Sequence, residues 1–273
     1  MIVDFHTHIY PDKIASKGVQ YVGDFYGFHL TTLGTDAHLR QCCKQAGVDK
    51  RVLLAVSIRP DQVDSINAWL RDRLDADTFG FAALHPFMED PLSRLEQFPA
   101  MGFAGVKFHP DMQQFNIDDR HMDPVYAWLQ AHRFPVCFHM GDPRYDYSRP
   151  IRLARVLDRF PELRVVAAHL GGYERWDEAA SCLSDSGVYY DTSSAIAFMT
   201  PERAAEIILR HGADKVLFGT DYPVTTQREE LALFMRVPLC EAHRQAILSG
   251  NACRFLGIAP PPEASSATEP ADA

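Results

Sequence analysis

Eight times along this chain a short apolar or β-branched run is followed by a longer segment with helical spacing. That alternation lays down a parallel sheet, because a strand returning in the same direction needs a crossover long enough to hold a helix. The runs lie at 2–5, 51–56, 79–84, 104–108, 136–138, 163–168, 188–190 and 216–218. Helical spacing marks 36–46, 61–74, 91–101, 124–131, 150–159, 173–184 and 201–211, several of which open on Pro and close near Gly or His. Runs as apolar as VLLAV (52–56) fit a sheet covered on both faces. Eight such units in 273 residues predict one domain, a (β/α)8 barrel of the TIM type over 1–258, with a doubly wound open sheet as the alternative.

Two segments stand outside this rhythm. Residues 10–35, rich in aromatics and Gly, read as a long insertion after the first strand, and such a loop often caps a site; Tyr21, Phe25, Tyr26 and Phe28 within it read either as a lid over an apolar substrate or as packing for the loop, with packing favoured. The 259–273 tail, built from Pro, Ala, Ser, Glu and Thr, lacks bulky apolar residues and is expected to be disordered. With 36 acidic against 27 basic residues, the net charge of -9 offers no basic field for nucleic acid or an anionic membrane. The first residues carry no leader pattern and no run is long enough to span a membrane, so a cytoplasmic location is expected. Six scattered cysteines without a CxxC pair read as reduced thiols.

In a parallel barrel, chemistry gathers where strands end and loops begin. Strand one ends in Asp4-Phe5-His6-Thr7-His8, and alternation along a strand sends both imidazoles to one side, where they can share an ion. Strand five ends at His139, strand six at His169 and strand eight at Asp221, each a single polar residue closing an apolar run. These groups, from four strands, converge only if the sheet closes, so fold and site support one another.

The ordered set HTH (6–8), GVKFHP (105–110), FHMGD (138–142), AHLGG (168–172), DTSS (191–194), LFGTDYP (217–223) and GNACRFLGI (250–258) resembles the amidohydrolase-related branch of the amidohydrolase superfamily, across residues 1 to about 258. The resemblance implies a divalent metal held by His6, His8, His139 and Asp221. It also implies that Asp221 accepts a proton and that His169 orients or deprotonates water at the metal. One zinc ion is expected, with manganese, iron and nickel open, since imidazole and carboxylate ligands suit all of them. Lys107, inward on strand four, has three readings: a carboxylated bridge to a second metal, a cation for a substrate carboxylate, or an internal ion pair with Asp191. The single-metal reading with a free amine is favoured. His109 either meets substrate or fixes a turn. Arg144 and Tyr145, with Asp142 and Tyr147, follow His139 in a polar loop that either grips substrate or is a solvated loop held by Asp and Pro turns. His85 and Asp191 read as turn or cap residues.

The expected activity is hydrolysis of a small carbonyl compound, an amide, lactone or ester. The alternative is nonoxidative decarboxylation or hydration of a carboxylated aromatic or dienoic acid on the same metal, with a noncatalytic ligand-binding barrel as the reading from another class. A small molecule is the expected partner, and self-association is left open.

Overall fold

The computed structural model describes residues 1–184 and 186–259. Eight strands, β1 (Val3–Thr7), β2 (Lys50–Leu54), β3 (Thr78–Ala83), β4 (Gly105–Phe108), β5 (Val136–Phe138), β6 (Val165–Ala167), β7 (Tyr189–Asp191) and β8 (Val216–Leu217), pair in parallel and in chain order around one sheet. The last strand returns to the first. Phe5 N donates to Phe218 O at 2.8 Å, Asp221 N to His6 O at 2.8 Å and His8 N to Tyr222 O at 2.6 Å, so the sheet closes into the expected barrel.

A buried carboxylate reinforces this seam. Asp4 accepts from Thr220 N (3.0 Å), Thr220 Oγ1 (2.7 Å) and Gln227 Nε2 (2.9 Å), tying β1 to the segment after β8. Burial nonetheless pushes its pKa up to about 6.

The helices are α1 (Ala15–Tyr26), α2 (Asp36–Ala46), α3 (Val63–Arg71), α4 (Pro91–Gln97), α5 (Pro110–Gln113), α6 (Asp123–Ala131), α7 (Pro150–Arg159), α8 (Trp176–Cys182), α9 (Pro201–His211), α10 (Gln227–Phe234), α11 (Glu241–Gln245) and α12 (Asn251–Leu256). Side-chain oxygens start several of them: Thr35, Asp90 and Thr200 each accept a backbone N–H, and Thr226 forms a reciprocal capping box with Glu229. The segment expected as helix at 173–184 begins only at Trp176, because Glu174 takes a left-handed backbone in the Gly-rich turn before it.

Apolar side chains divide by strand face. Phe5, Val52, Leu54, Phe81, Val166 and Leu217 fill the barrel interior, and Phe255 of α12 closes its base against Phe5 at 5.5 Å. Leu53, Val106, Phe108, Val136 and Phe138 face outward and pack under the helices.

Strict alternation does not hold in β1. Between Asp4 and Thr7 the register against β2 shifts by one residue, a bulge, which lets Phe5 stay in the interior while His6 enters the cavity above it.

The 10–35 segment differs from the expected loop, since it contains the twelve-residue helix α1. Its sequence hides this. Gly18 and Gly23 each cost a helix about 1 kcal/mol relative to Ala, no side chain caps its start, and neither end carries a charge that favours the helix dipole. Tertiary packing overrides propensity here: a Cβ on Gly18 would lie 2.7 Å from the Tyr10 ring, so only glycine allows this approach. Of the tail expected to be disordered, residues 260–273 lie outside the described residues.

His211 offers a test of this packing. Its Nε2–H donates to Leu170 O at 3.1 Å, its Nδ1 lies 3.2 Å from Ser184 Oγ, and its ring stacks on Tyr190. Burial lowers its pKa from 6.5 to about 4. The unfolded chain therefore binds a proton near pH 6.5 that the folded chain refuses until about pH 4. Its contribution is complete above pH 6.5 and is lost as pH falls through that window, by at most about 1.4 kcal/mol per pH unit. In urea titrations from pH 7 to 4, His211→Phe should lower stability at pH 7 by leaving Leu170 O without its donor, yet flatten the acid slope by roughly one proton.

Candidate functional site

At the carboxyl end of the barrel lies a cavity of about 540 Å³, and His6, His8, Lys107, His109, His139, His169 and Asp221 all line it. Closure of the sheet brings them together from five strands. Two arrive through unusual backbone: His169 (φ 60°) and Asp221 (φ 64°) adopt the left-handed region, which costs a residue with a Cβ of order 1 kcal/mol and turns both side chains inward where their strands end.

His6, His8 and Asp221 form a close trio. Nε2 of His6 lies 3.1 Å from Nε2 of His8, and Asp221 Oδ1 is 3.4 Å and 3.3 Å from them. The opposite ring nitrogens are engaged. Nδ1 of His6 meets Asp191 Oδ2 at 2.8 Å and Ser193 Oγ at 2.9 Å, while Nδ1 of His8 donates to Leu54 O at 2.6 Å. With their protons on Nδ1, both imidazoles turn lone pairs on Nε2 toward each other and toward a carboxylate oxygen. Such an arrangement repels itself unless a cation lies within it. Bonds of 2.0–2.1 Å to one tetrahedral ion would separate ligand atoms by about 3.3–3.4 Å, close to what these three groups show.

The remaining imidazoles form a second, connected network. His169 Nδ1–H donates to Ser193 O at 2.8 Å, so its Nε2 accepts from His139 Nδ1–H, also at 2.8 Å. His139 Nε2 then carries a lone pair, 3.3 Å from Tyr26 Oη and 3.6 Å from Asp111 Oδ2. His109 Nδ1 accepts from Met112 N, leaving Nε2–H to donate to Tyr26 Oη at 2.8 Å. Each ring thus has one tautomer consistent with all its neighbours. His139 lies outside the close trio, one imidazole away.

Electrostatics keep these rings neutral. Burial first, then Lys107, lowers the pKa of His6 to about 4 and that of His109 well below the usual range. Burial also lowers His139 and His169. At Asp221, Ser194 Oγ donates to Oδ2 at 2.6 Å, which favours the ionised carboxylate. Asp111 goes the other way, up to about 7 through burial, and its Oδ1 has no hydrogen-bond partner among the described residues.

Lys107 is 1% exposed and its Nζ lies 3.5 Å from Cys137 Sγ. Asp191, suggested as its ion-pair partner, instead holds His6 and accepts from His169 N at 3.1 Å. The cap-like position of Asp191 at a strand end was visible in the sequence; its pairing across the barrel was not. His109 caps α5, as the turn reading expects, and also lines the cavity.

Arg144 and Tyr145 stand apart from the cavity lining. Arg144 forks onto Asp142 (Nη2 to Oδ2, 2.6 Å), donates to Phe25 O, and lies over the Phe25 ring, while Tyr145 stacks on Phe25 at 5.9 Å. Together they fasten the end of α1. The residue missed as part of the site is Tyr26, which α1 carries to the two imidazoles.

Known proteins agree with this architecture. A structure described as an uncharacterized TIM-barrel protein from Bordetella bronchiseptica superposes with a TM-score of 0.73 at 20% identity, covering 94% of this chain and 98% of that one. A dihydroxybenzoic acid decarboxylase from Polaromonas, solved with manganese and the inhibitor 2-nitroresorcinol, gives 0.72 at 18%, covering 94% and 96%. An amidohydrolase from Burkholderia multivorans, solved with zinc, gives 0.72 at 16%, covering 95% and 100%. The amidohydrolase family model matches residues 3–258, and the chain belongs to that family as one of its enzymes.

Tyr26 makes the link between α1 and the site testable. Its hydroxyl is the point where the helix grips His109 and His139. Tyr26→Phe should cost about 1 kcal/mol of stability and raise amide exchange across α1, read by mass spectrometry, while leaving β4 and β5 protected. Unchanged exchange in α1 would show that the Arg144 clasp holds the helix alone.

Proposed function

We propose that His6, His8 and Asp221 bind one divalent metal ion, zinc in the first instance, and that the enzyme hydrolyses a small amide, lactone or ester there. The observation that carries this reading is the trio itself, two imidazole lone pairs and a carboxylate oxygen spaced 3.1–3.4 Å apart. His139 is the proposed fourth ligand through Nε2, the atom left with a lone pair, which would give up its contact with Tyr26. When bound, such an ion supplies Lewis acidity toward a carbonyl oxygen and lowers the pKa of water.

The protein's own groups would do the rest. Asp191 and Ser193 fix His6 in the tautomer that presents Nε2, and Leu54 O does the same for His8. Asp221, a carboxylate that accepts from Ser194 Oγ, would take a proton from the attacking water and return it to the leaving atom. His169, neutral and held at Nδ1 by Ser193 O, would share that proton through Nε2 in place of the hydrogen bond it accepts from His139 Nδ1–H. Tyr26 and the α1 roof limit water access above these groups.

A second reading, nonoxidative decarboxylation of a carboxylated substrate, is favoured by one observation. Lys107 is a buried amine on the cavity wall, with Cys137 Sγ as its hydrogen-bond contact, and it suits a substrate carboxylate. Decarboxylases among the structural neighbours support the same reading.

Purified protein should carry close to one metal per chain by elemental analysis, and a panel of lactones, amides, esters and aromatic acids should separate hydrolysis from decarboxylation. His169→Asn should keep most of the metal and lose at least about a hundredfold in turnover, whereas His6→Ala should lose both. Equal metal loss in both variants would make His169 a ligand and overturn its role as a proton carrier.

A further inference from the structure

The cavity is larger than the reaction requires, and its excess volume has one character. Its imidazoles, Asp221 and Lys107 collect at the floor, while the wall above is mostly apolar, with Lys17, Gln62 and Ser65 as its polar members. At about 540 Å³ it matches pockets that enclose drug-sized ligands.

Its shape can be read from β2. Leu54 faces the barrel interior and Leu53 faces the helices, since neighbouring strand residues point to opposite faces, yet both line this cavity. The space therefore turns over the end of β2, leaving the barrel mouth for the layer beneath α3. There Ile66 and Trp69 form its wall.

The roof continues in the same direction. Ile14, Gly18, Val22 and Tyr26 recur along α1 at four-residue spacing and line the cavity from above. The exposed rim carries large apolar side chains beside Lys17 and Ser65: Ile14 is 50% and Tyr21 45% open to solvent. Exposed apolar side chains around a deep apolar channel mark a ligand that brings apolar surface of its own.

We propose that the substrate is an amphiphile: a carbonyl or carboxyl head sits on the histidine floor, and a medium-length apolar tail follows the channel over β2 to Ile66 and Trp69. The placement of the head rests on the function proposed above; the channel for the tail does not. Specificity for the tail then resides in α1 and α3, elements that contribute no group to the proposed metal trio.

The test uses the full-length, zinc-loaded protein and two probe series read by calorimetry. Straight-chain hydroxamic acids from two to ten carbons carry a metal-binding head, and straight-chain 1-alkanols from four to ten carbons carry none. Affinity should tighten roughly fourfold per added methylene in both series until the channel is full. Ile66→Trp should weaken decanohydroxamate at least tenfold and leave acetohydroxamate within twofold, a split that a misfolded protein could not give. Ser65→Trp, at an exposed position on the same wall, should give the same split should the first variant prove insoluble. Affinity independent of length in both series, or equal losses for long and short hydroxamates in both variants, would overturn the apolar-tail inference. Alkanols that follow chain length while no hydroxamate binds would support the channel and overturn the metal-binding floor instead.

Discussion

Everything functional in this protein hangs on one junction, the seam where β8 returns to β1. His6 and Asp221 lie at opposite ends of the fold's sequence, and Asp221 N donates to His6 O at 2.8 Å. Asp4 holds the same seam from its outer side through Thr220 and Gln227. A carboxylate buried this fully is costly unless its oxygens are matched by donors, and these donors are drawn from both sides of the closure. Barrel closure and site assembly are therefore one event. An open sheet with the same strands would leave His6 and Asp221 on separate edges, and the close trio could not form.

The second constraint is neutrality. Five imidazoles share one cavity with a lysine, and so many cations could not be buried together. Burial and mutual repulsion keep the buried rings uncharged, and backbone carbonyls, Asp191 and Ser193 then decide which nitrogen of each ring bears its proton. Neutral rings of fixed tautomer are what metal ligation and proton transfer both require. Lys107 contributes from a distance, since its charge helps to hold the neighbouring rings below their ordinary pKa.

Much of this was legible in the sequence because barrel strands announce their ends. A single polar residue closing an apolar run marks the mouth, and His139, His169 and Asp221 were found that way. What escaped notice depends on information outside any one strand. The β1 bulge, which lets Phe5 and His6 both face inward, is a property of pairing with β2. Helix α1 was hidden by the glycines that let it pack. Arg144 read as a substrate-gripping residue because nothing in its own spacing reveals that Asp142, two residues away, would pair with it, or that Phe25 would receive it.

The division of labour that results explains how one floor serves different reactions. The groups placed on strand ends are fixed by the sheet, and their donors and tautomers would suit metal ligation whether the substrate is cleaved by water or loses its carboxylate as carbon dioxide. The walls are contributed by α1, α3 and the loop after β2, whose side chains can change without disturbing the seam. Lys107 stands at the boundary: it belongs to β4, so it is as rigid as the floor, yet it lies where a substrate's own charge would be felt. A carboxylated substrate would offer the Lys107 amine an anionic partner that a neutral carbonyl substrate would not. Whether the substrate brings that anion is the physical question on which the two proposed chemistries would part.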